Sequence, residues 1–214
     1  MSRTAAKRNP DWKQGFLFIG NQLALDFLNT RPVMNGQAVE LVSDFSALLR
    51  WFQAADLLSS RQVRHLQQQW GNSIRARRTL KAAWELRERL RNAVLAWECG
   101  AAVRQSIINE LNQLMFRYPV RARLEAARNV LSKELWFEAK RPEDLFTPLA
   151  HSAATLFAEV SRDRVRKCGQ CVLHFHDTSK KGTRRWCSMR LCGNRLKVAA
   201  YAARHRALRS RSTL

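Results

Sequence analysis

The chain has 214 residues, 46% of them apolar, enough for one substantial core or for a main domain with a small module. No apolar run approaches the roughly 18 residues of a membrane span, and the charged start MSRTAAKRNPDWKQGF is not followed by the apolar stretch of a secretion signal, so a cytoplasmic protein is expected. The net charge is +21, and from Ser161 onward fifteen Lys or Arg face two acids, Asp163 and Asp177, with none beyond Asp177. That imbalance points to a polyanionic partner, nucleic acid before an anionic membrane, because no Trp/Phe/Leu face accompanies the last charges.

In chain order, FLFIG (Phe16 to Gly20) reads as a short strand or an extended lead-in. NQLALDFLNT then makes a short, mostly buried helix that Arg31-Pro32 ends, since the residue before proline disfavours helical geometry. Ser43 is the expected N-cap of the next helix, where Phe45, Leu48, Leu49 and Phe52 follow the amphipathic spacing. A third helix is expected from about Ser60 to Trp70. The longest runs from about Ser73 to Cys99, with Leu80, Ala83, Trp84, Arg87, Leu90, Val94 and Trp97 on one face and Gly100 as terminator. Another spans Val103 to Phe116. Residues 120–138 fit a hairpin by alternation and a helix by propensity. Thr147-Pro148 reads as the N-cap and first residue of a helix to about Arg162. Composition then changes at SRDRVRK, so the expected organisation is a helical domain at 1–160 and a small basic module at 161–214.

Five cysteines in a chain without a secretion signal argue against a disulfide framework. Cys168 and Cys171 are spaced C-x2-C, and after fifteen residues Cys187 and Cys192 are spaced C-x4-C. Two thiol pairs from separate turns are the framework of a closed four-cysteine zinc site, structural rather than catalytic. A redox dithiol needs one C-x-x-C in a thioredoxin-like setting, which is missing. Val172, Leu173, Phe175 and Trp186, about a turn at Lys181-Gly182, suggest a hairpin packed on a following helix. His174 and His176 are expected at exposed hairpin positions or as phosphate donors, with substitution for a cysteine ligand as the lesser reading. Cys99 is expected to be a buried thiol, and Trp186 to fill the module's core instead of stacking a base.

With CGQC, WCSM and CGNR followed by LKVAAYAARHR, the C-terminal part resembles the CGNR zinc finger family, and GNQLALDFLNTR (Gly20 to Arg31) resembles the ABATE domain usually found with it. That resemblance implies a bacterial transcription regulator whose finger binds DNA, and it favours the hairpin for 120–138. The expected fold is thus mainly α: a helical N-terminal domain with a small β-hairpin, plus a zinc finger of a short hairpin and a basic helix.

Entered at Ser188 or Asn194, that last helix places Arg190, Lys197, Arg204 and Arg211 seven apart on one slowly drifting face, with Arg195 and Arg206 on a second line. Candidate nucleic-acid contacts are Arg184, Arg185, Arg190, Arg195, Lys197, Arg204 and Arg206, on DNA first and RNA as the alternative. In the N-terminal domain, Asp26, Asn29 and Arg31 either line a pocket for a small-molecule effector or close a helix, with Asp26 paired to Arg31. A homodimer and a protein-interaction adaptor are the further possibilities. No Walker loop, G-x-G-x-x-G, H-E-x-x-H or nucleophile elbow is present, which speaks against an enzyme.

Overall fold

The computed structural model describes residues 11–127, 130–194 and 198. Two tight antiparallel pairs, β1 (Trp12–Lys13) with β2 (Phe16–Leu17) and β3 (Val33–Met34) with β4 (Gln37–Ala38), flank α1 (Leu23–Leu28). Their turns, Gln14-Gly15 and Asn35-Gly36, take positive φ at both positions, as a two-residue hairpin whose twist matches its strands requires. From Ala24 to Leu28 every residue of α1 is buried, so it forms the centre of the fold and not its surface.

The helices expected from periodicity before residue 162 are present, with small shifts at their ends, and the basic helix expected after Ser188 or Asn194 lies largely outside the described residues. In α2 (Phe45–Ala54) the cap is Asp44, whose carboxylate accepts the Ala47 N–H at 2.7 Å. The expected Ser43 is one residue early and instead donates its hydroxyl to Asp44. Both residue types cap well, and only the backbone decides between them. Helix α3 (Ser60–Trp70) opens on a reciprocal capping box of Ser59 and Gln62. Helix α4 (Ile74–Glu98) is 25 residues long, capped by Ser73 and ended at Gly100, whose φ of +98° suits the position after the cap. Helix α5 (Gln105–Arg117) follows.

The ambiguous segment is a hairpin: β5 (Arg121–Ala127) pairs antiparallel with β6 (Val130–Trp136). A 3₁₀ turn, Pro142–Leu145, then runs straight into α6 (Phe146–Glu159). Thr147 is therefore not the cap. It lies inside the first turn, where Pro148 is tolerated because the N–H it lacks would have no intrahelical acceptor. The turn is fixed by Asp144, which accepts the N–H groups of Lys140 (3.0 Å) and Arg141 (2.8 Å).

Faces of α1, α2, α4 and α6 form the main core, in which Trp51 is fully buried against Phe18, Phe27 and Phe52. Arg87 also lies in this core, 1% exposed, on the buried stripe of α4. A guanidinium at that depth needs counter-charge. Glu40 provides it with paired hydrogen bonds, and the Thr30 hydroxyl accepts a third at 2.7 Å. A second, smaller core joins Leu17 and Ile19 to Leu173, Phe175 and three cysteines near the C-terminal end. Among the described residues no helix is long and apolar enough to cross a membrane.

Candidate metal centre and nucleic-acid interface

Beyond α6, β7 (Val165–Lys167) pairs antiparallel with β8 (His174–His176) in the register Val165↔His176 to Lys167↔His174. The turn joining them is the Cys168–Cys171 knuckle, closed by Cys168 N–H on the Leu173 carbonyl at 2.8 Å. The finger's hairpin is thus built across the knuckle, not about Lys181-Gly182. That second turn belongs to a loop that returns to the knuckle through Gly169 N–H on Arg185 O at 3.2 Å. The second thiol pair sits on a π-type turn, Met189–Gly193, capped by the Ser188 hydroxyl, which accepts from Arg190 N (3.1 Å) and Leu191 N (3.4 Å). Gly193 is closely packed: a β-carbon there would stand 2.6 Å from Met189 Sδ and 2.9 Å from Trp186 Nε1, so those side chains would have to shift. Trp186 is half-buried against the small core, as expected.

This arrangement brings the sulfurs of Cys168, Cys171, Cys187 and Cys192 within 4.8 Å of one another, with Cys171 and Cys187 3.7 Å apart. Four thiolates on a tetrahedral zinc at about 2.3 Å lie about 3.8 Å from each other, so the donor set fits the ion. Its electrostatics agree. Hydrogen bonds from Cys171 and Cys187 hold the Cys168 thiol far below its ordinary range. Cys171 is pushed up to about 12, first by its bond to Cys168, and Cys187 is also pushed up. Thiolates held this close repel one another until a divalent cation compensates them. The protein carries one structural zinc, which supplies a closed cross-link between the knuckle and the second cysteine pair with no position left for a nucleophile.

The finger docks on α1 through main-chain groups of β8. Asn29, fully buried, accepts the His174 N–H at Oδ1 and donates Nδ2 to the His174 carbonyl, both at 2.8 Å. Two residues on, His176 N–H donates to Gly20 O at 2.8 Å, and Asn21 Nδ2 donates to His176 O at 2.9 Å. Asp26 shapes the approach by accepting Ile19 N–H at 2.9 Å and Gly20 N–H at 2.7 Å with one carboxylate oxygen. A β-carbon on Gly20 would come within 2.9 Å of that same oxygen. Burial pushes the Asp26 carboxyl up to about 7, against the lowering effect of those two N–H groups.

Residues 164–205 match the CGNR zinc finger model, and residues 21–160, about two thirds of the chain, match the ABATE model, whose description is “Putative stress-induced transcription regulator”. The chain belongs to the ABATE family. No curated protein matches it. Neither matched model describes an enzyme.

Within the ABATE segment, the three residues singled out from sequence separate. Asp26 and Asn29 are buried on main-chain partners, and Asp26 is not paired with Arg31. Arg31 lies 3.6 Å from Glu88 and lines a cavity of about 580 Å³ with Trp84, Glu85 and Arg89. Two further expectations fail. Cys99 is exposed at the end of α4, because it falls about 200° round the helix from the buried Trp97. His174 is buried, 1% exposed, on the strand whose edge docks on Asn29, with Arg91 of α4 and Lys167 of β7 near its ring. Its ring nitrogens have no partner among the described residues, and burial, then Arg91 and Lys167, holds the imidazole down to about 4. It is not in the four-sulfur group.

The finger's cations fall into two sets. Arg184 is half-buried, with Nε on the Trp186 carbonyl at 2.9 Å and its guanidinium 4.4 Å from the Phe175 ring centre. Arg164 and Arg166 likewise donate to loop carbonyls. Arg185 and Arg190 are exposed. Arg195, Lys197, Arg204 and Arg206 lie outside the described residues. Sequence reasoning passed over Asp177, whose signal was to be the last acid in a basic segment. It is fully buried, and although burial raises its pKa, hydrogen bonds from Ser179 and Arg184 and the nearby Arg166 hold it at about 2.

Proposed function

We propose that the chain is a DNA-binding transcription regulator of the bacterial cytoplasm, with a helical domain at residues 1–160 and a CGNR finger at 161–214. Zinc on Cys168, Cys171, Cys187 and Cys192 fixes the start of the basic segment that meets DNA. Arg185, Arg190, Arg195, Lys197, Arg204 and Arg206 are its contacts, and Arg184 supports them from within. The helical domain senses an effector, for which Arg31 lines one cavity, or pairs two copies.

The observation that carries this reading is the four-sulfur cluster at the root of a segment without a single acid after Asp177. Such a segment is repelled by its own charge, and a polyanion relieves that repulsion by releasing counterions. Fluorescence anisotropy with random-sequence duplexes tests it. The zinc-loaded protein binds at low salt, binding weakens steeply as salt rises, and chelation or Cys187→Ser removes it. No binding to any duplex at low salt would reject the reading.

A further inference from the structure

The loop from Asp177 to Arg185 is held from inside and charged outside. Asp177 accepts Ser179 N–H at 2.9 Å with one oxygen and Arg184 N–H at 2.8 Å with the other. Arg164 donates to Asp177 O at 3.2 Å and Ser179 O at 2.8 Å, and Arg166 donates to Gly182 O at 2.9 Å. Gly182 takes a φ of +61°, and a β-carbon there would meet the Arg164 guanidinium at 3.2 Å. One acid and two arginines thus fix a short loop that carries no core residue of its own. Its outer face consists of Thr178, Ser179, Lys180, Lys181, Thr183 and Arg185, all exposed. Among the described residues, Lys180, Lys181 and Arg185 make no ion pair.

We propose that this loop is a clamp for the phosphate backbone of duplex DNA, with Lys180, Lys181 and Arg185 as its contacts. The proposal rests on the DNA-binding reading above and adds where the backbone is gripped. Preorganisation distinguishes the loop from a solvated charge run, because three cations held on a fixed frame bind phosphates with less loss of chain freedom. The loop has no aromatic side chain to stack an unpaired base and no apolar one to enter a bilayer. A paired backbone, read through charge alone, is the polyanion that suits it. Arg184, also expected among the contacts, anchors the loop to Phe175 and Trp186.

The test compares three full-length, zinc-loaded proteins on one 30-base-pair duplex of random sequence, with affinity followed against salt. In the first variant Lys180, Lys181 and Arg185 are changed to Gln. In the second, exposed helical-domain residues Arg61, Arg64 and Arg78 are changed to Gln, which removes equal charge. Every phosphate that goes without its cation lowers the slope of log K against log salt by about 0.9, so the loop variant's slope falls by about 2.7. A fourfold rise in salt then weakens wild-type binding about 40-fold more than it weakens that variant. The helical-domain variant keeps the wild-type slope. An unchanged slope in the loop variant, with wild type binding normally, would overturn the clamp while leaving the DNA reading intact. An equal fall in both variants would show bulk charge and overturn it too. Tighter binding of single-stranded RNA of equal length at every salt would overturn the duplex assignment, and no wild-type binding would remove the DNA reading itself.

Discussion

Asp26 offers the most direct check on how α1 holds the finger. Asp26 is 8% exposed, and burial raises its carboxyl from 3.8 to about 7 although two N–H groups favour the anion. In the unfolded chain the group ionises near 3.8, so between about pH 4 and 7 the folded state holds a proton that the unfolded state has lost. Stability therefore falls as pH rises through that window and levels off above it. From pH 6 to pH 8 the loss from this one group is about 1.4 kcal/mol, the equivalent of one pKa unit. Asp26→Asn is uncharged at every pH and keeps an oxygen to accept from Ile19 and Gly20, so it lacks that loss. The assay is urea unfolding of both zinc-loaded proteins at pH 6, 7 and 8. Thiol deprotonation strengthens zinc binding over the same range, but equally in both, and cancels in the difference. The variant should gain about 1.4 kcal/mol on wild type between pH 6 and pH 8. Parallel stability curves would refute the reasoning, since they would mean that the carboxylate is already ionised and that the two N–H bonds outweigh burial.

Asn29→Ala leaves the His174 N–H and carbonyl buried without partners, at about 1–3 kcal/mol for each group. Hydrogen exchange should show the His174 amide unprotected while metal analysis still finds zinc; retained protection would remove Asn29 as the link. Arg87→Leu leaves Glu40 without its counter-charge and should destabilise by about 3 kcal/mol, the low end for a broken buried pair because the Glu40 side chain is 29% exposed. Denaturation midpoints of that variant and of Arg87→Leu/Glu40→Leu check it: the double variant should recover part of the loss, and no recovery would mean that packing, not charge, is what Arg87 provides.

Much of this was legible in the chain. Thiol spacing predicted the cluster because metal-ligand geometry is local to two short turns, and Ser73 and Gly100 bounded α4 because cap chemistry is local too. What escaped was non-local. Alternation from Val172 to Phe175 revealed a strand but not its partner, and the neighbour proved to be β7, which precedes the knuckle. Period-two logic left His174 on an open face, yet it is buried where α1, far earlier in the chain, docks on the edge of β8. Cys99 is different: its apolar neighbours misled, although a helical-wheel count from Trp97 points it outward.

The Gly20–Arg31 motif now has a physical account of its own. Gly20 gives its carbonyl to β8 and leaves room for the Asp26 carboxylate; Asp26 fixes the turn; Asn21 and Asn29 bind the main chain of β8. Side-chain amides that pair with main-chain N–H and C=O take the place of a neighbouring strand, and they do so whatever the side chains of β8 are. Ile19 and Leu17, just before the motif, lie in the same small core as Cys168, Cys187 and Cys192. Zinc therefore closes the finger on one side and α1 closes it on the other. Any ligand that moves α1 by the length of a hydrogen bond must break main-chain contacts of β8 or carry β8 with it, and β8 leads directly into the Asp177 loop. Coupling between the helical core and the finger thus needs no flexible linker, because the two share a strand edge.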